Sequence, residues 1–168
     1  MSPPVRAWLR DKTGTPFIVR DYQPVDRVGL EAMYEDFDPK RAAQGLPPEK
    51  VDAVRRWLDG VLPQGRHLVV EVAGRVLGHV MMVPMNGRTE VASFLHQSIR
   101  GRGIGTAAHG VALDVCRAAG WHHLWLSVRP MNRAAIRSYE KVGFRMLAGS
   151  LWEPELEMEL LIPKAEQV

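Results

Sequence analysis

Leu95-His96-Gln97-Ser98-Ile99-Arg100-Gly101-Arg102-Gly103-Ile104-Gly105-Thr106-Ala107-Ala108 decides how this chain is read. An apolar run ends, a glycine-rich basic turn follows, and a helix of small residues begins. Glycine lets a backbone approach a ligand closely, because no Cβ stands in the way. The first amides of a helix have no internal acceptor and carry the positive end of the helix dipole. An anion is favoured there, and Arg100 and Arg102 add full positive charge beside it. The turn therefore reads as the seat of a phosphate-bearing cofactor.

Working outward, Glu90 to His96 reads as a strand running into the turn. Gly103 to Ala119 reads as a helix, with Ile104, Ala107, Ala108, Val111, Ala112, Val115 and Ala119 on one face, and Gly120 closes it. His122 to Val128 is a strand. Pro130 and Asn132 break the chain, and Asn132 suits an N-cap. A helix over Arg133 to Val142 buries Ala135, Ile136, Tyr139 and Val142. Strands follow over Phe144 to Ala148 and Glu155 to Ile162. Upstream, the pattern gives a loose arm over 1–15, a strand over Phe17 to Tyr22, and helices over 25–37 and Glu49 to Val61. Two hairpin turns, at Gly74-Arg75 and Asn86-Gly87, join strands over His67 to Ala73, Val76 to Val83 and Glu90 to His96. The order implies an α/β fold in one domain over 16–163.

The 168 residues, 46% hydrophobic and 24% charged, suit one well-filled core. Cys116 is the single cysteine, which excludes an internal disulfide and fits a cytoplasmic protein. No apolar run approaches a membrane span, and the N-terminus has no hydrophobic signal core. Net charge is +3, but residues 100–145 hold eight basic residues against Asp114 and Glu140. That local field suits an anionic ligand. Aromatic residues are not interleaved with it, so nucleic acid is not expected. His67, His79, His96, His109, His122 and His123 show no metal-ligand spacing, and no metal is expected.

Two cofactors compete for the turn. Gly103-x-Gly105-x-x-Ala108 fits a dinucleotide fingerprint, which requires an acid at the end of the next strand. That strand ends Leu126-Ser127-Val128-Arg129, and too little chain follows for further βαβ units. The second fit is better. Arg100-x-x-Gly103-x-Gly105 is similar to the Q/R-x-x-G-x-G/A element of the GNAT N-acetyltransferases. Leu124 to Phe144, containing Val128, Asn132, Ala135, Tyr139 and Gly143-Phe144, resembles that superfamily's fifth strand and fourth helix. Together these motifs cover about residues 90–145.

The resemblance implies a mixed, mostly antiparallel sheet of about seven strands with about four helices. Its fourth and fifth strands are splayed by a bulge that admits acetyl-CoA. The amides of Gly101, Arg102, Gly103, Ile104, Gly105 and Thr106 are implied to hold the pyrophosphate, with Arg100 beside them. A side chain at Gly103 or Gly105 would occupy the phosphate's space. The main chain of Phe94, Leu95 and His96 is implied to meet the pantetheine arm, and Asn132 to bind pantetheine or cap its helix. Tyr139 matches the family's general acid, and Glu90 a position where some members carry the base. Others use a glutamate where this chain has Ser127, which could hold a water. Acidic residues in the expected acceptor regions (Glu31, Glu35, Asp36, Asp38, Glu155, Glu157 and Glu159) favour a cationic amine, on a small molecule or a protein lysine. A monomer or homodimer is expected. The alternative is a non-catalytic CoA-binding sensor on the same fold.

Overall fold

Two short turns set the middle of the sheet. Ala73 and Gly74 have φ of 49° and 78°, and Asn86 and Gly87 of 53° and 81°. Two successive left-handed residues give a turn whose twist matches the flanking strands. These turns join β3 (Arg66–Val72), β4 (Arg75–Met85) and β5 (Arg88–Leu95) into an antiparallel meander, as the Gly and Asn-Gly signals predict. The computed structural model describes residues 3–148 and 154–165. Residues 1–2 of the expected arm and 149–153 of the expected domain lie outside the described residues.

Residues 6–10 correct the reading of 1–15 as a loose arm. They form β1 (Arg6–Arg10), which pairs with β2 (Pro16–Asp21) in an antiparallel hairpin. Its residues alternate between exposed and half-buried, a weak signal beside Pro3-Pro4. What holds β1 is a long-range partner. The turn that follows it is tied by Asp11, which accepts from the amides of Thr13 and Thr15 and from Arg102 Nε at 2.6 Å.

Single 3₁₀ turns lie at Pro24–Asp26 and Gln97–Ile99, and the helices are α1 (Arg27–Glu35), α2 (Val51–Val61), α3 (Ile104–Ala119) and α4 (Arg133–Val142). The remaining strands are β6 (His123–Val128), β7 (Arg145–Met146) and β8 (Leu156–Leu161). One sheet of eight strands results, in the order β1-β2-β3-β4-β5-β6-β8-β7, one more than the seven expected. The short β7 lies at the edge and pairs with β8 at Arg145–Glu159 and Met146–Met158.

Every neighbouring pair is antiparallel except β5 and β6, which are parallel. That pair is joined only at Thr89–Leu124 and Glu90–Trp125. Beyond those residues the two strands part. The expected bulge in β5 is absent: its register with β4 runs unbroken from Gly78–Leu95 to Met85–Arg88. The irregularity lies one strand over, where Leu77 of β4 is the extra residue opposite Val70 and Glu71.

Each face of the sheet carries its own core. Val80, Met82, Val91, Leu124 and Leu126 pack beneath α3 residues Ile104, Ala108 and Ala112 and α4 residue Tyr139. On the other face Met81 and Phe94 meet Leu30, Met33 and Tyr34 of α1 and Val54 and Leu58 of α2. This second face is pinned by a buried polar chain. The Tyr34 hydroxyl bonds His79 Nδ1 at 2.6 Å, and His79 Nε2 bonds His67 Nδ1 at 2.9 Å. His67 Nε2 then donates to the carbonyls of Gln64 and Val61. Burial pushes both imidazole pKa values down, so the pair is held neutral. The chain joins α1, β4, β3 and the end of α2.

Tyr34→Phe tests that joint. It keeps the ring but leaves His79 Nδ1 buried without its donor, at a cost of about 1–3 kcal/mol. Urea unfolding checks the figure, and an unchanged midpoint would show that the chain does not stabilise α1.

Candidate active site

The site grows from the place where β5 and β6 part. A strand edge presents a row of amides and carbonyls that need partners. Past Glu90 and Trp125 neither strand serves the other. In an alternating strand, side chains two apart share a face. Val91, Ser93 and Leu95 accordingly look toward α3 and α4, while Glu90, Ala92 and Phe94 look toward α1 and α2.

Tyr139 is buried on α4, and its hydroxyl meets Ser93 Oγ at 2.8 Å, beside the unpaired part of β5. Burial raises its pKa, partly offset by the Ser93 bond. Its ring stacks on His109 of α3, with centroids 4.4 Å apart. His109 Nε2 lies 2.8 Å from Ser93 Oγ and Nδ1 2.9 Å from Ser138 Oγ. Thr106 Oγ1 donates to Ser138 at 3.1 Å. Sequence reasoning singled out Tyr139 and the amide of Thr106 and missed Ser93, His109 and Ser138. No local pattern links them. They meet because β5, α3 and α4 pack together.

Glu90 lies on the opposite face and does not touch Tyr139. Burial raises its carboxyl pKa. Arg88 pulls it down and Glu155 pushes it up. It therefore takes a proton at higher pH than an ordinary carboxylate. Ser127 stands opposite Glu157 in the β6–β8 ladder.

The glycine-rich turn has the predicted position and packing constraints of its own. Gly101 and Gly103 have φ of 76° and 80°, a region that L-residues with a Cβ rarely enter. A Cβ on Gly103 would meet the Lys12 side chain at 3.1 Å, and one on Gly105 would meet Leu95 at 3.1 Å. Backbone conformation at Gly101 and Gly103, and close packing at Gly103 and Gly105, favour glycine here in addition to the expected need for a ligand's space. Gly103 is the N-cap of α3, and Gly120 closes that helix in the left-handed region. Among the described residues, no protein acceptor meets the amides of Gly101 to Thr106. That row of orphan donors fits a phosphate group.

Both arginines are partly spent within the protein. Arg100 Nε donates to the Leu95 carbonyl, and its guanidinium lies 5.1 Å from the Phe37 ring centre. Arg102 pairs with Asp11. The Thr13 hydroxyl, and then Arg102, hold the Asp11 carboxyl far below the usual range despite its burial. Lys12 brings a further cation. Its amide donates to the Arg102 carbonyl, and its side chain runs across Gly103. Reading 1–15 as an arm concealed Asp11 and Lys12.

The remaining candidates also make contacts within the protein. His96 bonds Asp36 through Nε2 and Ser98 through Nδ1. Asn132 Oδ1 accepts from the Ala135 amide at 3.2 Å, so it caps α4 as its residue type suggests. Phe94 is buried against Tyr34, Phe37 and Trp57. Burial pushes the Cys116 thiol up to about 12, far from a nucleophile's range. Several of the acidic residues are engaged: Glu31 with Arg27 and Arg55, Asp36 with His96, Glu155 with the Gln44 amide, Glu159 with His123. Among the described residues no His/Cys/Asp/Glu group could hold a metal, and no helix is long and apolar enough to cross a membrane.

Known proteins give the same topology a family. A relative, the L-methionine sulfoximine/L-methionine sulfone acetyltransferase of Pseudomonas paraeruginosa, is 25% identical over 137 residues, 76% of this chain and 80% of its own length. The GNAT domain of the Streptomyces lividans protein PAT superposes with a TM-score of 0.80 at 19% identity, covering 94% of this chain and 97% of that one. The spermidine N-acetyltransferase of Vibrio cholerae, solved with CoA and spermine, superposes with a TM-score of 0.71 at 20% identity, covering 88% and 96%. The model of the Acetyltransferase (GNAT) family matches residues 30–144, more than half of the sequence, and with the parted strands, the orphan amides and Tyr139 already in place, the chain belongs to that family of acetyltransferases.

Proposed function

We propose that this protein moves an acetyl group from acetyl-CoA to a primary amine by direct attack, with both substrates bound together. One observation carries the reading: the parted edges of β5 and β6 lie between a buried tyrosine hydroxyl on one face and a half-buried glutamate on the other. The amides of Gly101 to Thr106, with Lys12, Arg100 and Arg102 around them, would hold the phosphates. The edge of β5 near Phe94, Leu95 and His96 would meet the pantetheine arm, although the His96 amide is bonded to the Leu77 carbonyl and the Leu95 carbonyl to Arg100, with Asn132 at the mouth of α4.

Glu90 takes a proton from the substrate ammonium, directly or through water. The freed amine nitrogen bonds to the acetyl carbonyl carbon, the C–S bond breaks, and the nitrogen's second proton passes to water, which in turn restores the Tyr139 hydroxyl. Tyr139 gives its proton to the departing sulfur. The raised pKa of Glu90 brings it nearer the working range of a base. Engagement of Glu31, Asp36, Glu155 and Glu159 within the protein removes much of the case for a polycation. L-methionine sulfoximine is accordingly the first amine to test, with spermidine and a lysine peptide beside it, since the relative acting on it spans most of this chain.

Thiol release from acetyl-CoA over that panel reads the activity. Tyr139→Phe should lower kcat about 10²-fold or more while CoA binds within a few-fold of wild type; an unchanged kcat removes Tyr139 from the chemistry. CoA binding with no amine-stimulated release would instead mark a sensor. In Glu90→Gln, the fall in kcat/KM toward low pH should disappear. Protonating Glu90 disables the base, so wild type loses activity as pH drops through its raised pKa, and the variant has nothing there to titrate. A retained acid limb would assign the base elsewhere. Lys12→Glu should weaken CoA binding about three- to tenfold at low salt, by calorimetry, with less effect at high salt. Equal affinity would place Lys12 outside the phosphate site.

A further inference from the structure

The Tyr139 hydroxyl ends a chain of side chains that starts in the first turn of α3: Thr106, Ser138, His109, Ser93, Tyr139. Three elements contribute, and every link is a hydrogen bond of 2.8 to 3.1 Å. A hydroxyl can donate once, so the direction of one link propagates to the next. Thr106 donates to Ser138. The Ser138 proton is then available for His109 Nδ1, which leaves the imidazole proton on Nε2, aimed at Ser93. Ser93 in turn donates to Tyr139. Run this way, the chain supplies the Tyr139 oxygen with a donor and leaves the tyrosine's own proton uncommitted. Run the other way, Tyr139 spends its proton on Ser93, and Ser138 receives two donors while its own proton has no partner in the chain.

We propose that His109 is a positioning residue that fixes this direction, so that the Tyr139 O–H is presented to the parting between β5 and β6 and not to Ser93. The inference rests on Tyr139 being the acid. His109 suits the task because a neutral imidazole is a donor at one nitrogen and an acceptor at the other, and its two nitrogens reach hydroxyls on different elements. Burial alone lowers its pKa, to about 4, so the ring is neutral at pH 7. The stacked ring of Tyr139, 4.4 Å away, keeps the imidazole from turning over. Nothing in the acceptor-side chain Tyr34–His79–His67 can act this way, because that chain ends on main-chain carbonyls.

Two measurements decide it. Long-range 1H–15N correlation spectra of the wild-type protein at neutral pH report the His109 tautomer without any acceptor. Nε2–H is expected; Nδ1–H reverses the chain and overturns the proposal. In the thiol-release assay, with the best amine of the panel or with water as acceptor, His109→Leu should lower kcat about ten- to hundredfold with little change in the KM for acetyl-CoA. His109→Gln, whose amide donates and accepts across the same two hydroxyls, should restore most of it. In a Tyr139→Phe background His109→Leu should cost nothing further, because His109 acts through the hydroxyl already removed. The same loss in both backgrounds would show a merely structural role and end the proposal. Should Tyr139→Phe alone leave kcat unchanged, the acid assignment fails, and the tautomer still answers the direction of the chain separately.

Discussion

Two residue pairs hold β5 to β6, and the rest of the molecule is arranged around the edges they leave unpaired. Main-chain amides and carbonyls left without partners are costly when buried, so a sheet that parts in its middle must put the opening to use. Helices cover the flanking strands on both faces: α3 and α4 on one side, α1 and α2 on the other. The meander of β3, β4 and β5 keeps an unbroken β4–β5 register up to Leu95, so the free edge of β5 is held straight by its other neighbour.

Each face answers the same problem, a polar group buried beside the sheet, in a different way. Toward α1 and α2, Tyr34, His79 and His67 form a chain that closes on the carbonyls of Val61 and Gln64. Every proton has a fixed acceptor, and the chain acts as a brace. Toward α3 and α4, the chain from Thr106 to Tyr139 ends at a hydroxyl beside the parted strands. A network with all members satisfied rigidifies a core; one with a free end next to a cleft can hand over a proton. The two carboxyl and phenol groups proposed for the chemistry lie on opposite faces, which separates the group that accepts a proton from the group that gives one.

The glycine-rich turn shows how much a local motif conceals. Its glycines, its helix and the cap at Asn132 follow from residue type and spacing, because positive φ, helix start and N-cap are local matters. One constraint on Gly105 is not local: a Cβ there would stand 3.1 Å from the Leu95 side chain of β5. Nor is the destination of the arginines. Arg102 is held by Asp11, ninety-one residues away along the chain. An alternating pentapeptide after two prolines carries little signal, so β1 and the Asp11–Lys12 turn could be placed only once Arg102 and β2 were seen beside them.

By itself the sequence determined the order of elements, the hairpins at Gly74 and Asn86-Gly87, the glycine-rich start of α3, and the presence of Tyr139 on the buried face of α4. Those features depend on periods of two and 3.6 residues and on the backbone freedom of glycine, all of which act over a few neighbours. Tertiary structure alone decided that β5 meets β6 for only two pairs, that the bulge falls in β4, that Glu90 and Tyr139 face opposite ways, and that His109 joins Ser93 to Ser138. Each of these is a contact between segments far apart in the chain, and such contacts are set by how whole elements pack.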